Sequence, residues 1–110
     1  MEITWYGHSC FRLRERGRGV VVTDPYRKEI GYALPRLRAD IVTVSHPHPG
    51  HDYVKGVKGN PKVIDGPGEY EIRGISITGI SSFHDRRRGR DRGKNTIYLF
   101  YYSYLNTLPQ

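Results

Sequence analysis

The chain has 110 residues, 18 of them Lys or Arg and 11 Asp or Glu, for a formal net charge of +7; that length holds one domain and excludes a two-domain enzyme. With 36% apolar residues it can build a core, which excludes a wholly disordered chain, and its one cysteine, Cys10, excludes an intrachain disulfide framework. No apolar run approaches the roughly 20 residues of a membrane span, so the expectation is a cytoplasmic protein with no membrane partner.

In chain order, Glu2 to Tyr6, Cys10 to Arg14 and Gly19 to Thr23 are short runs rich in aromatic and β-branched residues, separated by turns, and they predict a three-strand meander. Asp24-Pro25 stops the third run. Ile30 to Arg38 spaces Leu34 and Leu37 as a helix would, with Pro35 between them, and predicts one short helical turn at most. Asp40 to Ser45 is a nearly all-apolar strand of the kind buried on both faces of a sheet. Tyr53 to Val57 has room for one or two helical turns before Gly59-Asn60-Pro61 breaks the chain. Lys62 to Ile64, Glu69 to Ile72, Ile75 to Ile80 and Thr96 to Tyr104 predict four more strands, so the fold class is α+β and mostly β.

The charge is local. Residues 12 to 18 net +3 and residues 86 to 94 net +5, while the rest of the chain nets −1. The second segment, RRRGRDRGK, reads either as a solvated loop or as a guide for anions through Arg86, Arg88 and Arg92. Followed by Tyr98, Tyr101, Tyr102 and Tyr104, it also permits a nucleic-acid-binding module, with cations for phosphates and rings for base stacking. From Asn95 onward there is no charged residue, a composition that either pairs inside a sheet or lies against another chain.

All five histidines fall at strand ends or in loops: His8 after the first strand, His46, His48 and His51 after the buried strand, and His84 after Ile75 to Ile80. Two imidazoles at i and i+2, in a loop stiffened by Pro47 and Pro49, can converge on one point, and a third from another strand end completes a set. Zinc takes three or four such ligands at about 2.0 to 2.3 Å, and three protein ligands leave a position open for water. His46, His48 and His84 form that candidate set. The alternative is solvent-exposed loop histidines. Cys10, between Ser9 and Phe11 at a strand start, reads as a small buried residue rather than a nucleophile.

The run IVTVSHPHPGH at 41 to 51 resembles the HxHxDH signature of the metallo-β-lactamase superfamily, which follows a buried strand. WYGHSCFRL at 5 to 13, VVTDPY at 21 to 26, IDGPGEYEIRGISITGI at 64 to 80, SFHD at 82 to 85 and RGKNTIYLF at 92 to 100 are similar to its lactonase-like, metal-dependent hydrolase branch. The resemblance covers nearly all of the chain to about residue 100. It implies half of an αββα sandwich, with residues 1 to 110 as a single truncated domain. By position His46 and His48 match the first metal site's two histidines, His84 its third and His51 the second site's histidine. Asp24 then stands as a carboxylate behind the metal loop, and His8 lies near the site.

The implied cofactor is zinc, with manganese or iron as substitutes. The implied activity is hydrolysis of an ester, lactone or phosphate ester by a metal-activated water. Two features depart from the pattern. Gly50 replaces the aspartate that binds the second metal, with Asp52 displaced by two positions, and the family's second half is absent. A catalytically inactive truncated member is therefore the alternative. A half sandwich would leave a sheet face bare, and a homodimer is the expected repair.

Overall fold

The computed structural model describes residues 1–27, 34–46, 54–83 and 94–102. β1 (Glu2–Trp5), β2 (Phe11–Arg14) and β3 (Val21–Thr23) form the expected antiparallel meander, with Ile3 opposite Leu13 and Leu13 opposite Val21. Two-residue β4 (Leu37–Arg38) precedes β5 (Ile41–Thr43), a 3-10 turn spans Val54–Gly56, and β6 (Val57–Lys58) and β7 (Lys62–Ile64) follow. β5 and β7 run parallel to β3, giving a five-stranded sheet of order β1-β2-β3-β5-β7. β8 (Gly68–Ile72), β9 (Ile75–Phe83) and β10 (Lys94–Tyr102) make an antiparallel second sheet of order β10-β9-β8.

At the C-terminal end of the stretch Ile30 to Arg38, read as holding one short helical turn at most, Leu37–Arg38 form β4, which pairs in parallel with β6 through Leu37 and Val57. Pro35 lacks the donor a helix needs and drives its predecessor toward extended backbone, and Leu37 gains a buried place beside Val57. Residues 28–33 lie outside the described residues.

Strand periodicity divides the five-stranded sheet into two faces. The outer face carries Val22, Val42 and Val44, packed with Cys10, Tyr26, Leu37, Ala39 and Val57. The inner face carries Val21, Ile41 and Ile64, packed against Ile75, Ile77 and Tyr102 of the second sheet. β5 lies between β3 and β7, and Ile41, Val42 and Thr43 are all buried, as an all-apolar central strand requires.

Gly79 makes the close approach of the sheets possible. A Cβ there would stand 2.9 Å from the Gly66 carbonyl oxygen and 3.0 Å from the Tyr98 ring. The space it leaves holds that ring, whose hydroxyl crosses to the first sheet and donates to the carbonyls of Val44 (2.9 Å) and Ile64 (3.1 Å). Burial pushes the Tyr98 hydroxyl up to about 12, only partly offset by a hydrogen bond from Thr96, so it keeps the proton it donates. Of the tyrosines in β10, Tyr98 and Tyr102 turn inward while Tyr101 is exposed. Among the described residues no helix is long and apolar enough to cross a membrane.

Candidate functional site

The parallel strands β3 and β5 end side by side, and the polar residues that follow them meet there. Asp24 follows β3 with φ +42°, a left-handed conformation that Asp adopts more readily than most residues. Its amide donates to the Thr43 carbonyl at 2.8 Å, which turns the buried carboxylate toward the end of β5. There Oδ1 accepts the Ser45 amide at 2.7 Å and Oδ2 accepts the Ser45 hydroxyl at 2.8 Å.

Ser45 passes this order to the histidine beside it. Its Oγ stands 3.0 Å from His46 Nδ1, and Asn95 Oδ1 stands 3.2 Å from the same nitrogen. A carboxylate offers no proton, so the one hydroxyl proton of Ser45 goes to Asp24, and Oγ can only accept from the ring. These contacts favour a proton on Nδ1 of His46, which would leave Nε2 as the ring nitrogen to meet a metal. That is the form in which an imidazole binds a metal while its other nitrogen is held by an acceptor. Asn95 reaches the ring because the Thr96 amide donates to the Ser45 carbonyl at 2.8 Å, pinning the start of β10 across the gap between the sheets.

The loop bearing His8 stands at the same end. Thr23 Oγ1 donates to the Ser9 carbonyl at 2.7 Å and accepts the Phe11 amide at 3.0 Å, fixing the loop beside the end of β3. His8 takes φ +50°, and its ring meets Tyr26 edge-on with centroids 4.8 Å apart. The Tyr26 hydroxyl donates to the Tyr6 carbonyl. Cys10, fully buried beneath this loop, has its thiol pushed up to about 12, first by burial and then by the negative charge of Asp24. It is a protonated core residue, not a nucleophile.

His46, Asp24 and His8 are thus gathered at one end of the sheet. His48, His51, His84, Arg86, Arg88 and Arg92, together with Gly50 and Asp52, lie outside the described residues. Among the described residues no group of three or more His, Cys, Asp or Glu side chains is placed to hold a metal. Two residues of the site, Ser45 and Asn95, escape sequence reasoning. The signal for Ser45 is a polar residue closing an apolar strand directly before a candidate ligand; Asn95, 49 positions from His46, has none.

The family model described as the β-lactamase superfamily domain matches residues 2–106. A UPF0173 protein of Pyrococcus abyssi is 28% identical over 106 residues, covering 92% of this chain and 48% of that protein. A crystal structure from Thermotoga maritima, described as a candidate Zn-dependent hydrolase of the metallo-β-lactamase superfamily, matches with a TM-score of 0.70 and 42% identity. It covers 92% of this chain and 44% of that one. The chain spans about half the length of these relatives. With its histidine after the buried central strand and this likeness over nearly its whole length, the chain belongs to the metallo-β-lactamase superfamily.

Proposed function

We propose that the chain carries the histidine-bearing part of a metal-dependent hydrolase, with His46, His48 and His84 holding zinc, or manganese or iron in its place, and His51 beside them. The observation that carries this reading is the setting of His46: its Nδ1 faces Ser45 and Asn95, and Asp24 locks Ser45 in turn. A bound metal ion would supply Lewis acidity toward a carbonyl or phosphoryl oxygen and toward water. The chain's own part is to keep His46 in one tautomer and one orientation, and Arg86, Arg88 and Arg92 would draw in an anionic ester, lactone or phosphate ester. A free, buried Cys10 is in keeping with a reducing, cytoplasmic setting.

The second reading, a family member without turnover, is favoured by Gly50, which puts no carboxylate where the signature has one. Elemental analysis of the purified chain and of its His46→Ala and His48→Ala variants tests the metal claim. Roughly one metal ion per chain, lost in both variants, is expected for a three-histidine site; none after reconstitution overturns the proposal. Hydrolysis of esters, lactones and phosphodiesters by the loaded chain then separates the two readings.

A homodimer belongs to the same proposal. Ile3, Trp5 and Phe11 extend the inner face past the second sheet and are 62, 63 and 37% exposed. They continue the core directly, and a second copy is the proposed cover. Light scattering at micromolar concentration should give twice the chain mass; a cooperatively folded monomer overturns it.

A further inference from the structure

The other end of the same sheet holds a second cluster of charge. β3 and β5 begin where a groove of about 370 Å³ opens, lined by Arg12, Arg14, Val20, Arg38, Asp40 and Gly59. His46 follows the opposite ends of those strands, on the order of 20 Å away at about 3.3 Å per strand residue. Arg12 and Arg14 stand two residues apart on β2 and so leave the sheet on one face. Arg38 comes from β4, and Gly59 leaves room for its stem: a Cβ there would lie 3.2 Å from Arg38 Cγ and 2.9 Å from the Ala39 carbonyl oxygen.

Among the described residues three carboxylates stand near the groove: Asp40 lines it, and Glu2 is paired with Arg12 itself. Asp40 Oδ2 accepts the Val20 amide at 2.8 Å, and its Oδ1 faces Arg73 at 3.8 Å. Glu2 pairs with one terminal nitrogen of Arg12 at 3.3 Å, and Glu15 takes the N-terminal ammonium at 3.1 Å. Arg12 Nε is buried without a hydrogen-bond partner, and among the described residues neither Arg14 nor Arg38 has an ion-pair partner. Arg14 and Arg38, with no ion-pair partner among the described residues, thus stand beside the partly neutralised Arg12, and an anion in the groove relieves their repulsion.

We propose that this groove is an anion site for a phosphate monoester or inorganic phosphate, held between the guanidinium groups of Arg12, Arg14 and Arg38. Guanidinium forks match the tetrahedral oxygens of a phosphate two at a time. The site is separate from the histidine end and stands whether or not that end binds metal.

The test is a titration of the full chain with inorganic phosphate at constant ionic strength, followed by 1H–15N NMR of the backbone amides and the arginine Nε–H groups. The expected result is a saturating shift of Arg12 Nε–H together with the Val20 and Gly59 amides, with a midpoint of about 1 mM. Arg14→Ala and Arg38→Ala, both exposed positions whose spectra report the intact fold, should each weaken it about tenfold. A non-saturating drift equal to that seen with chloride, or unchanged binding in both variants, overturns the proposal. So does a single-stranded oligonucleotide that binds the same residues far more tightly than phosphate with a steep salt dependence, because the groove would then follow a nucleic-acid backbone.

Discussion

The two faces of the five-stranded sheet are built from the same kind of residue and end differently. On the outer face, Val22, Val42 and Val44 are closed over by Cys10, Tyr26, Leu37, Ala39 and Val57, all drawn from segments that flank the strands themselves. On the inner face, cover comes from a separate sheet and stops short. Val21, Ile41 and Ile64 are buried, while Ile3, Trp5 and Phe11 are not. Cover on the outer face comes from the strands' own connections and stops only at Val63 on the edge strand β7, 41% exposed; cover on the inner face reaches only as far as the second layer extends, leaving β1 and the start of β2 bare.

Substitutions on the two parts of the inner face should break that comparison most sharply. Ile41→Ala removes a fully buried side chain from the central strand and should cost about 3 to 5 kcal/mol in urea unfolding. Trp5→Ala, although it removes a larger side chain, should change the stability of a dilute monomer by less than about 1 kcal/mol. If a second copy covers Trp5, the loss becomes concentration-dependent and light scattering reports a weakened dimer.

The next effect falls on the site. Asp24→Ala leaves the Ser45 amide and hydroxyl without their acceptor, at a cost of about 2 to 5 kcal/mol. Asp24→Asn keeps a residue suited to the left-handed backbone and one acceptor oxygen, so it should hold the fold better. Metal affinity should still fall roughly 10- to 100-fold, as it does when the partners behind a ligand are altered. Equal metal affinity in Asp24→Asn and the parent chain would remove Asp24 from the account.

Smaller still is Tyr98→Phe, which takes away the hydroxyl bridging the Val44 and Ile64 carbonyls and should cost about 1 to 2 kcal/mol by chemical denaturation. Alkali probes the same core. Cys10 and Tyr98 ionise near 12 in the folded chain, against ordinary values of 9.0 and 10.0. Below pH 9 both are protonated folded or unfolded. Above it the unfolded chain loses these protons first, so stability should fall as pH rises from 9 toward 12. Urea midpoints that stay flat across that range would contradict the burial of both groups.

The strands were legible where composition is strongest. The DIVTVS segment announces a central strand because Ile41, Val42 and Thr43 have no polar neighbour to turn outward. The meander follows from short aromatic and β-branched runs between turns. β4 and β6 were not legible, because two residues carry no periodicity and their pairing joins Leu37 to Val57 across the chain. At the site, His46 and Asp24 stand out by type and position. Ser45 and Asn95 do not, because their role is to accept a hydrogen bond from a ring that the fold brings to them, and Asn95 arrives through the pairing of β10 with β9 and the hydrogen bond between Thr96 and Ser45. Outward exposure of Trp5 was equally hidden, since an aromatic residue in a strand looks the same with or without a layer above it.

The central claim is that Asp24, Ser45 and Asn95 hold His46 with its proton on Nδ1 and its Nε2 ready to bind a metal. Long-range 1H–15N NMR of the imidazole nitrogens, in the metal-free chain at pH 8 and again with one equivalent of zinc, tests it directly. The account predicts a protonated Nδ1 in the free chain and a zinc-dependent shift confined to Nε2. A proton on Nε2, or no response of that nitrogen to zinc, would contradict it.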